Sequence, residues 1–374
     1  MQFESRLDKY ENKFAEKKWT INKEPSKNKY KYFIIIPSKA EKKRLPNLLD
    51  SIRSQSYNYL KDCLVLIVVN SCEEDSQSTM NDNRESINYL INTSFNFDIR
   101  FVDASKPDYF LPEKKAGVGL ARKIGADVIL KYAKNDSIIC YTDADTVLSN
   151  NYLKHITEYY NKHKCGCAIA SFKHQSNKNS SININIELYE KFLLKTAQAI
   201  KNTGSPYGYV SLGSCITCTA SGYISVGGMN RLKATEDFYF LQELTKHFGV
   251  MHTIEKIIVF PSSRESKRVY LGTGYRMTKA LEGDKINQLY FSDQSFISLR
   301  EFLEIINKSY NLSFNQLIKK TGKIEGLNNF LIKNDIEKIW DSLIKNVDYE
   351  KYISQFHRWF DALKTIKFLK YYSN

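Results

Sequence analysis

No apolar run in these 374 residues approaches the roughly 20 needed to span a bilayer. Residues 1–28 are polar and charged and hold no apolar region of the kind that opens a secreted chain, so a cytoplasmic location is expected. There is no internal repeat and no long low-complexity linker. Seven cysteines, an odd number, do not make a disulfide framework. Cys165-Gly166-Cys167 and Cys215-Ile216-Thr217-Cys218 lie in strand-like sequence without a nearby histidine pair, which favours buried thiols over a zinc site. No helix-turn-helix, RNA-recognition or zinc-finger pattern accompanies the aromatic residues, so no nucleic-acid partner is expected. What remains is the composition of an ordinary globular protein, 42% hydrophobic and 26% charged. The net charge of +14 comes from scattered lysines. It suits anionic membranes, nucleic acid or phosphorylated substrates, and follows equally from base bias, so it decides nothing.

Strand and helix alternate over residues 31–137. Tyr32-Phe33-Ile34-Ile35-Ile36 is a continuous apolar run ended by Pro37, as in a strand buried on both faces. Leu45, Leu48, Leu49 and Ile52 follow at helical spacing. Residues 64–69 read as a second buried strand closing in the polar turn 70–75, and residues 99–103 as a third. Ala121, Ile124, Val128 and Ile129 mark one side of a helix over 118–132. A fourth strand, 137–141, delivers Asp143-Ala144-Asp145. Such alternation predicts an α/β fold with a mostly parallel sheet and right-handed crossovers.

Beyond residue 150 the pattern changes. Strands are expected over 167–172, 213–220 and 251–260, a polar loop over 177–185 and a helix over 187–202. Thr235 is placed to cap a helix opened by Glu236-Asp237. From about Arg300 only helical periodicity remains, ending in a stripe of Tyr352, Phe356, Trp359, Phe360, Leu363 and Ile366. That stripe is expected to pack on the catalytic domain or a second subunit, the alternative being peripheral contact with an anionic membrane. The expected division is a polar extension (1–29), a catalytic domain (30–278, with halves 30–150 and 151–278) and a helical C-terminal region (279–374).

Acidic or polar residues follow four strands: 38–41, 70–75, Asp143/Asp145 and Glu236/Asp237. Loops after parallel strands converge on one edge of the sheet, so a nucleotide would lie across the first two loops and its diphosphate would reach a metal at Asp145. In an extended chain the Asp-x-Asp spacing puts both carboxylates on one face, and a hard divalent cation with phosphate oxygens suits them. The plainer alternative is one helix cap and one solvated carboxylate. For Glu236-Asp237 the alternative is a pair of first-turn acids complementing the helix dipole. Arg264, Lys267 and Arg268 form either a mobile loop that closes over a diphosphate or a solvated charged loop. His252 is read as facing the core or solvent rather than as a third metal ligand.

Taken in order, these segments resemble the GT-A-fold glycosyltransferases of the family 2 type. Residues 34–41, Ile-Ile-Ile-Pro-Ser-Lys-Ala-Glu, resemble the opening strand and loop of that family. Residues 66–75 resemble its second strand and acidic loop, and 117–125 its glycine-bearing Ala-Arg segment. Residues 141–145 resemble its Asp-x-Asp, and 235–240 its Glu-Asp motif. The resemblance spans residues 32–274 and implies a GT-A, Rossmann-like, mixed and mostly parallel sheet flanked by helices.

Roles follow residue by residue from that resemblance. Pro37 and Glu41 line the nucleoside pocket. Asn70 and Asp75 contact base and ribose, with Asn70 departing from the usual aspartate and leaving the base open. Arg122 reaches the diphosphate or braces the metal loop; Arg264 and Arg268 join the donor-binding candidates from the loop reading above, not from the resemblance. Asp143 touches ribose or sugar beside the metal, and Asp145 ligates Mg2+ or Mn2+. Asp237 is the base of an inverting transfer, and Glu236 its neighbour. The implied donor is a nucleotide-diphosphate sugar. The acceptor (glycan, lipid-linked or small molecule) and the oligomeric state stay open. A sugar nucleotidyltransferase would carry a glycine-rich, arginine-bearing first loop, which residues 37–41 lack. A non-catalytic relative is disfavoured by intact Asp143, Asp145 and Asp237.

Overall fold

The computed structural model describes residues 2–266 and 268–373, which fall into two compact units. The first comprises residues 1–186, 211–244 and 252–284; the second comprises 187–210, 245–251 and 285–374.

The first unit is built on one eight-stranded sheet. Its strands are β1 (Tyr30–Ser38), β2 (Cys63–Asn70), β3 (Asp98–Ala104), β4 (Ala133–Tyr141), β5 (Val147–Leu148), β6 (Cys167–Phe172), β7 (Ile216–Thr219) and β8 (His252–Phe260), in the order β3-β2-β1-β4-β7-β6-β8-β5. β2 runs parallel to β3 and β1, β1 to β4, and β6 to β8, while β7 is antiparallel to β4 and β6, and β5 to β8. The sheet is therefore mixed and mostly parallel. Chain order reverses direction between β1 and β4, and such a switch point opens a crevice beyond the strands' carboxyl ends.

β1 runs through Pro37 instead of ending there, and the hydrogen-bond ladder explains why. The Ile35 carbonyl accepts the Thr142 N–H on the β4 side, and pairing with β4 stops at Ile35. Pro37 lies two residues on and faces that same side, where no N–H is required. Its other face keeps the ladder to β2.

Helices α2 (Leu45–Arg53), α3 (Tyr57–Leu60), α4 (Gln77–Asn92), α5 (Val118–Ile129), α6 (Tyr152–His163) and α8 (Ala220–Ser225) pack on the strands of the sheet, and α1 (Phe3–Lys13) packs on α8. The chain also forms α7 (Ser180–Asn202), α9 (Glu236–Phe248) and α10 (Thr273–Leu281). α5 packs on β1 and β2, and is buried on nearly every side. The polar loop expected over 177–185 is instead mostly helix from Ser180, because Asn179 turns the chain in by accepting the Ser181 N–H. Of the strand expected over 213–220, only Ile216–Thr219 is extended, since Thr219 accepts the Gly222 N–H and starts α8.

The second unit contains α11 (Asp293–Asn307), α12 (Phe314–Thr321), α13 (Leu327–Lys333), α14 (Ile336–Ile344), α15 (Tyr349–Trp359) and α16 (Ala362–Ser373). Its core gathers Leu299, Phe302, Trp340, Tyr352, Phe356, Phe360 and Phe368, all at 0–1% exposure. The C-terminal aromatic stripe thus packs into the core of its own helical unit, where Phe302 stacks on Phe368 and meets Phe356 and Phe360 edge-on. No helix among the described residues is long and apolar enough to cross a membrane.

Candidate functional site

The carboxyl ends of β1, β2 and β4 bring most of the singled-out residues to one edge of the first unit. Ser38 and Asn70 end their strands, and Thr142 follows β4 directly. The buried hydroxyls of Ser38, Thr142 and Thr146 have no hydrogen-bond partner among the described residues. Polar groups so placed are poised for something polar to meet them.

The first two loops are tied together. Lys39 pairs with Asp75 at 2.5 Å, and Asp75 also accepts the Cys72 N–H at 2.9 Å. Asn83 on α4, 0% exposed, joins the same loops from below. Its Oδ1 accepts the Ala40 N–H at 2.8 Å, and its Nδ2 donates to the Asn70 carbonyl at 3.0 Å and to Ser71 Oγ at 2.8 Å. Ala40 holds φ 52°, a left-handed conformation that needs such outside support. Sequence reasoning missed Asn83, although it shares the inward side of α4 with Ser86 and Leu90 at helical spacing.

Asp143 and Asp145 do not lie on one face of an extended chain as expected. The Asp143 carbonyl accepts the Thr146 N–H at 2.9 Å, folding residues 143–146 into a turn with Ala144 buried inside. The two carboxylates consequently meet different arginines. Asp143 pairs with Arg122, and Asp145 pairs with Arg264 at 2.8 Å.

Arg122 is 2% exposed and its guanidinium spans two motifs, holding Asp143 through Nη2 and Glu236 through Nη1. Burial disfavours its charge, but Asp143, Glu236 and Asp237 outweigh that and raise its pKa. Two glycines make room for this contact. A Cβ on Gly213 would sit 2.2 Å from both Nη atoms of Arg122, and one on Gly119 would lie 2.4 Å from the Leu232 carbonyl and 2.8 Å from the Glu236 Cβ. Sequence reasoning did not single out Gly213, because its constraint comes from a side chain distant along the chain.

Three carboxylates thus surround one guanidinium, and α9 supplies two of them. Glu236 is buried; Asp237 beside it is partly exposed, and its Oδ1 accepts the Phe238 N–H at 2.7 Å. Burial pushes both carboxyls up, with Asp237 adding to the rise at Glu236 and Arg122 opposing it at each. Thr235 does not cap α9 in the usual way. It holds φ 65°, and its hydroxyl donates to the Ala234 carbonyl at 2.5 Å.

A second charged group lies at Glu41, 4% exposed. Arg264 pairs with Glu41 as well as Asp145, and Arg268 pairs with Glu41 at 2.6 Å while donating to the Ala40 carbonyl at 3.2 Å. Lys267 lies outside the described residues. Burial pushes the Asp145 carboxyl up to about 6; Arg264 opposes this, and Asp143 and Glu41 add to it. Gln175, also missed in the sequence, donates to the Asp145 carbonyl at 2.9 Å and to the Phe260 carbonyl at 2.6 Å, pinning the turn to the end of β8. His252 stands at the opposite end of β8, with Nδ1 3.3 Å from the Tyr159 hydroxyl.

Among the described residues no group of three or more His, Cys, Asp and Glu side chains is placed to hold a metal ion. No cysteine forms a disulfide. The charged donors of the turn after β4 are the carboxylates of Asp143 and Asp145, with the hydroxyls of Ser38, Thr142 and Thr146 at the same edge. That chemistry fits a hard cation bound through one or two carboxylates, with substrate phosphates and water completing its coordination.

Residues 33–215 match the model of the family described as Glycosyl transferase family 2. No curated protein matches the chain. Among solved structures, S. aureus TarS (residues 1–349) in complex with UDP-GlcNAc is similar at 15% identity and a TM-score of 0.42, over 88% of this chain and 80% of that one. The mannosyltransferase PcManGT from Pyrobaculum calidifontis, in complex with GDP-Man and Mn2+, is similar at 12% identity and a TM-score of 0.42, over 97% and 93%. With TM-scores under 0.5, neither fixes a residue correspondence for this chain.

Proposed function

We propose that this chain, whose residues 33–215 match the glycosyl transferase family 2 model, is a glycosyltransferase that moves a sugar from a nucleotide-diphosphate sugar to an acceptor hydroxyl, with inversion at the anomeric carbon and a divalent cation. The observation that carries this reading is the buried Arg122 bridge between Asp143 and Glu236, which couples the Asp-x-Asp turn to the head of α9. The donor's nucleoside would lie across the loops joined by Asn83, against Pro37, Glu41, Asn70 and Asp75. Asp143 would steady the ribose or sugar, and Arg122 would keep that carboxylate in place.

Asp145, with Asp143 beside it, would hold Mg2+ or Mn2+, which when bound neutralises charge on the departing nucleoside diphosphate. Arg264 and Arg268 are close enough to that edge to add charge-assisted hydrogen bonds to phosphate oxygens. Asp237 would take the proton of the acceptor hydroxyl as its oxygen attacks the anomeric carbon and the bond to the diphosphate oxygen breaks. Its partial exposure and raised pKa support that role, whereas Glu236 is committed to Arg122. The division into a catalytic domain over 30–278 and a helical region over 279–374 belongs to the same proposal.

A thermal-shift screen of nucleotide sugars with and without Mn2+ tests donor and cation together. A cation-dependent rise in Tm with one donor, absent in Asp145→Ala, is expected. Equal rises in both proteins contradict the assignment of Asp145.

A further inference from the structure

Arg264 holds two carboxylates at once, Glu41 on the loop after β1 and Asp145 in the turn after β4. Both acids are largely buried, with side chains 5% and 17% exposed, so each needs a counter-ion. Arg268 shares Glu41, and Arg44 stands 3.5 Å from its other oxygen, so Glu41 keeps cationic partners if Arg264 leaves. For Asp145 the structure gives no arginine or lysine ion pair other than Arg264 among the described residues. Resting on the cation-dependent reading above, we infer that Arg264 is the resident counter-ion of Asp145. A divalent cation and Arg264 therefore compete for the same carboxylate, and the donor's diphosphate resolves the competition by accepting the released guanidinium.

The physical basis is charge balance in a space of low polarity. A cation arriving alone beside Asp145 meets a guanidinium already there, and like charges at that distance repel strongly when water is scarce. A diphosphate brings the negative charge that both cations lack. Arg264 can then turn from carboxylate to phosphate oxygens, a bidentate geometry that guanidinium groups favour. Cation and nucleotide binding become mutually dependent, and a coupling of this kind is reciprocal.

Mn2+ binding followed by electron paramagnetic resonance reads this without turnover, on the full chain as wild type, R264Q and D145N, with and without UDP or GDP. Without nucleotide, R264Q should bind Mn2+ about tenfold more tightly than wild type, the order expected when one charge-assisted competitor is removed. With the nucleotide that binds, the order should reverse, because R264Q lacks the phosphate contact, and D145N should bind Mn2+ poorly throughout. Equal Mn2+ affinity of wild type and R264Q without nucleotide, with D145N impaired, overturns the counter-ion role and leaves the metal assignment standing. Unimpaired Mn2+ binding by D145N, or none by any protein in any condition, overturns the metal assignment and the inference together. Melting curves, with R264K as a second variant that keeps the charge, exclude misfolding as the cause of a difference. R264K should stay near wild type without nucleotide, and R264Q-like binding by it contradicts the charge argument.

Discussion

At the scale of single residues, the carboxylates were legible and their restraints were not. Asp143, Asp145, Glu236 and Asp237 announce themselves as acids at strand or helix ends, a pattern visible in one dimension. Asn83 and Gly213 do not, because each answers to atoms distant in sequence: Ala40, Asn70 and Ser71 for one, the Arg122 guanidinium for the other. Asn83→Ala leaves the Ala40 N–H without its partner, at a cost of about 1–3 kcal/mol. If the strut positions the nucleotide loops, donor KM should rise severalfold with kcat nearly unchanged; a lower Tm with unchanged KM would make Asn83 merely structural. Asp237 gives a pH prediction. Its pKa is raised by burial, so the base is protonated, and the rate lost, as pH falls through a value above the ordinary carboxylate range near 3.9. The acid limb of kcat/KM should lie above that range, and a profile flat down to pH of about 4 contradicts it.

At the scale of elements, apolar runs located β1, β2, β4, β6 and β8, although β1 and β4 extend beyond the expected 32–36 and 137–141, where polar residues break the run. Errors arose where hydrogen bonds outside the pattern decided the outcome. Pro37 stays in β1 because its missing N–H faces an unpaired edge, and α7 starts early because Asn179 turns the chain. The N-terminal extension gave the least warning. α1 sends Tyr10 into a buried network, where the hydroxyls of Tyr10 and Tyr223 donate to Asp127 at 2.6 and 2.7 Å. Lys123 pairs with Asp127 at 3.0 Å and donates to Tyr10 at 2.8 Å, and burial lowers its pKa. This network anchors α5, the helix that carries Arg122. Tyr10→Phe should lower stability by about 1–3 kcal/mol in a denaturant melt, because Lys123 and Asp127 each lose a buried partner. A change below about 0.5 kcal/mol would show the network to be slack.

At the scale of the whole molecule, the sequence indicated a sheet followed by helices, and each of the two compact units draws on three segments of the chain. Residues 187–210 and 245–251 join the C-terminal helices, a grouping that only tertiary contacts reveal. The aromatic stripe of α15 and α16 fills the core of that unit, so Phe356→Ala should cost about 3–5 kcal/mol and lower Tm sharply. An unchanged Tm would place Phe356 outside a packed core.

The central claim is that acceptor activation and donor binding are divided, Asp237 serving the first and the edge around Asp143 and Asp145 the second. It is tested most directly by comparing Asp237→Asn with wild type for nucleoside diphosphate release in transfer and for donor affinity by calorimetry. Transfer is expected to fall by about 10²-fold or more while the donor Kd stays within about twofold. Transfer at the wild-type rate, or a donor affinity lost along with it, would contradict that division.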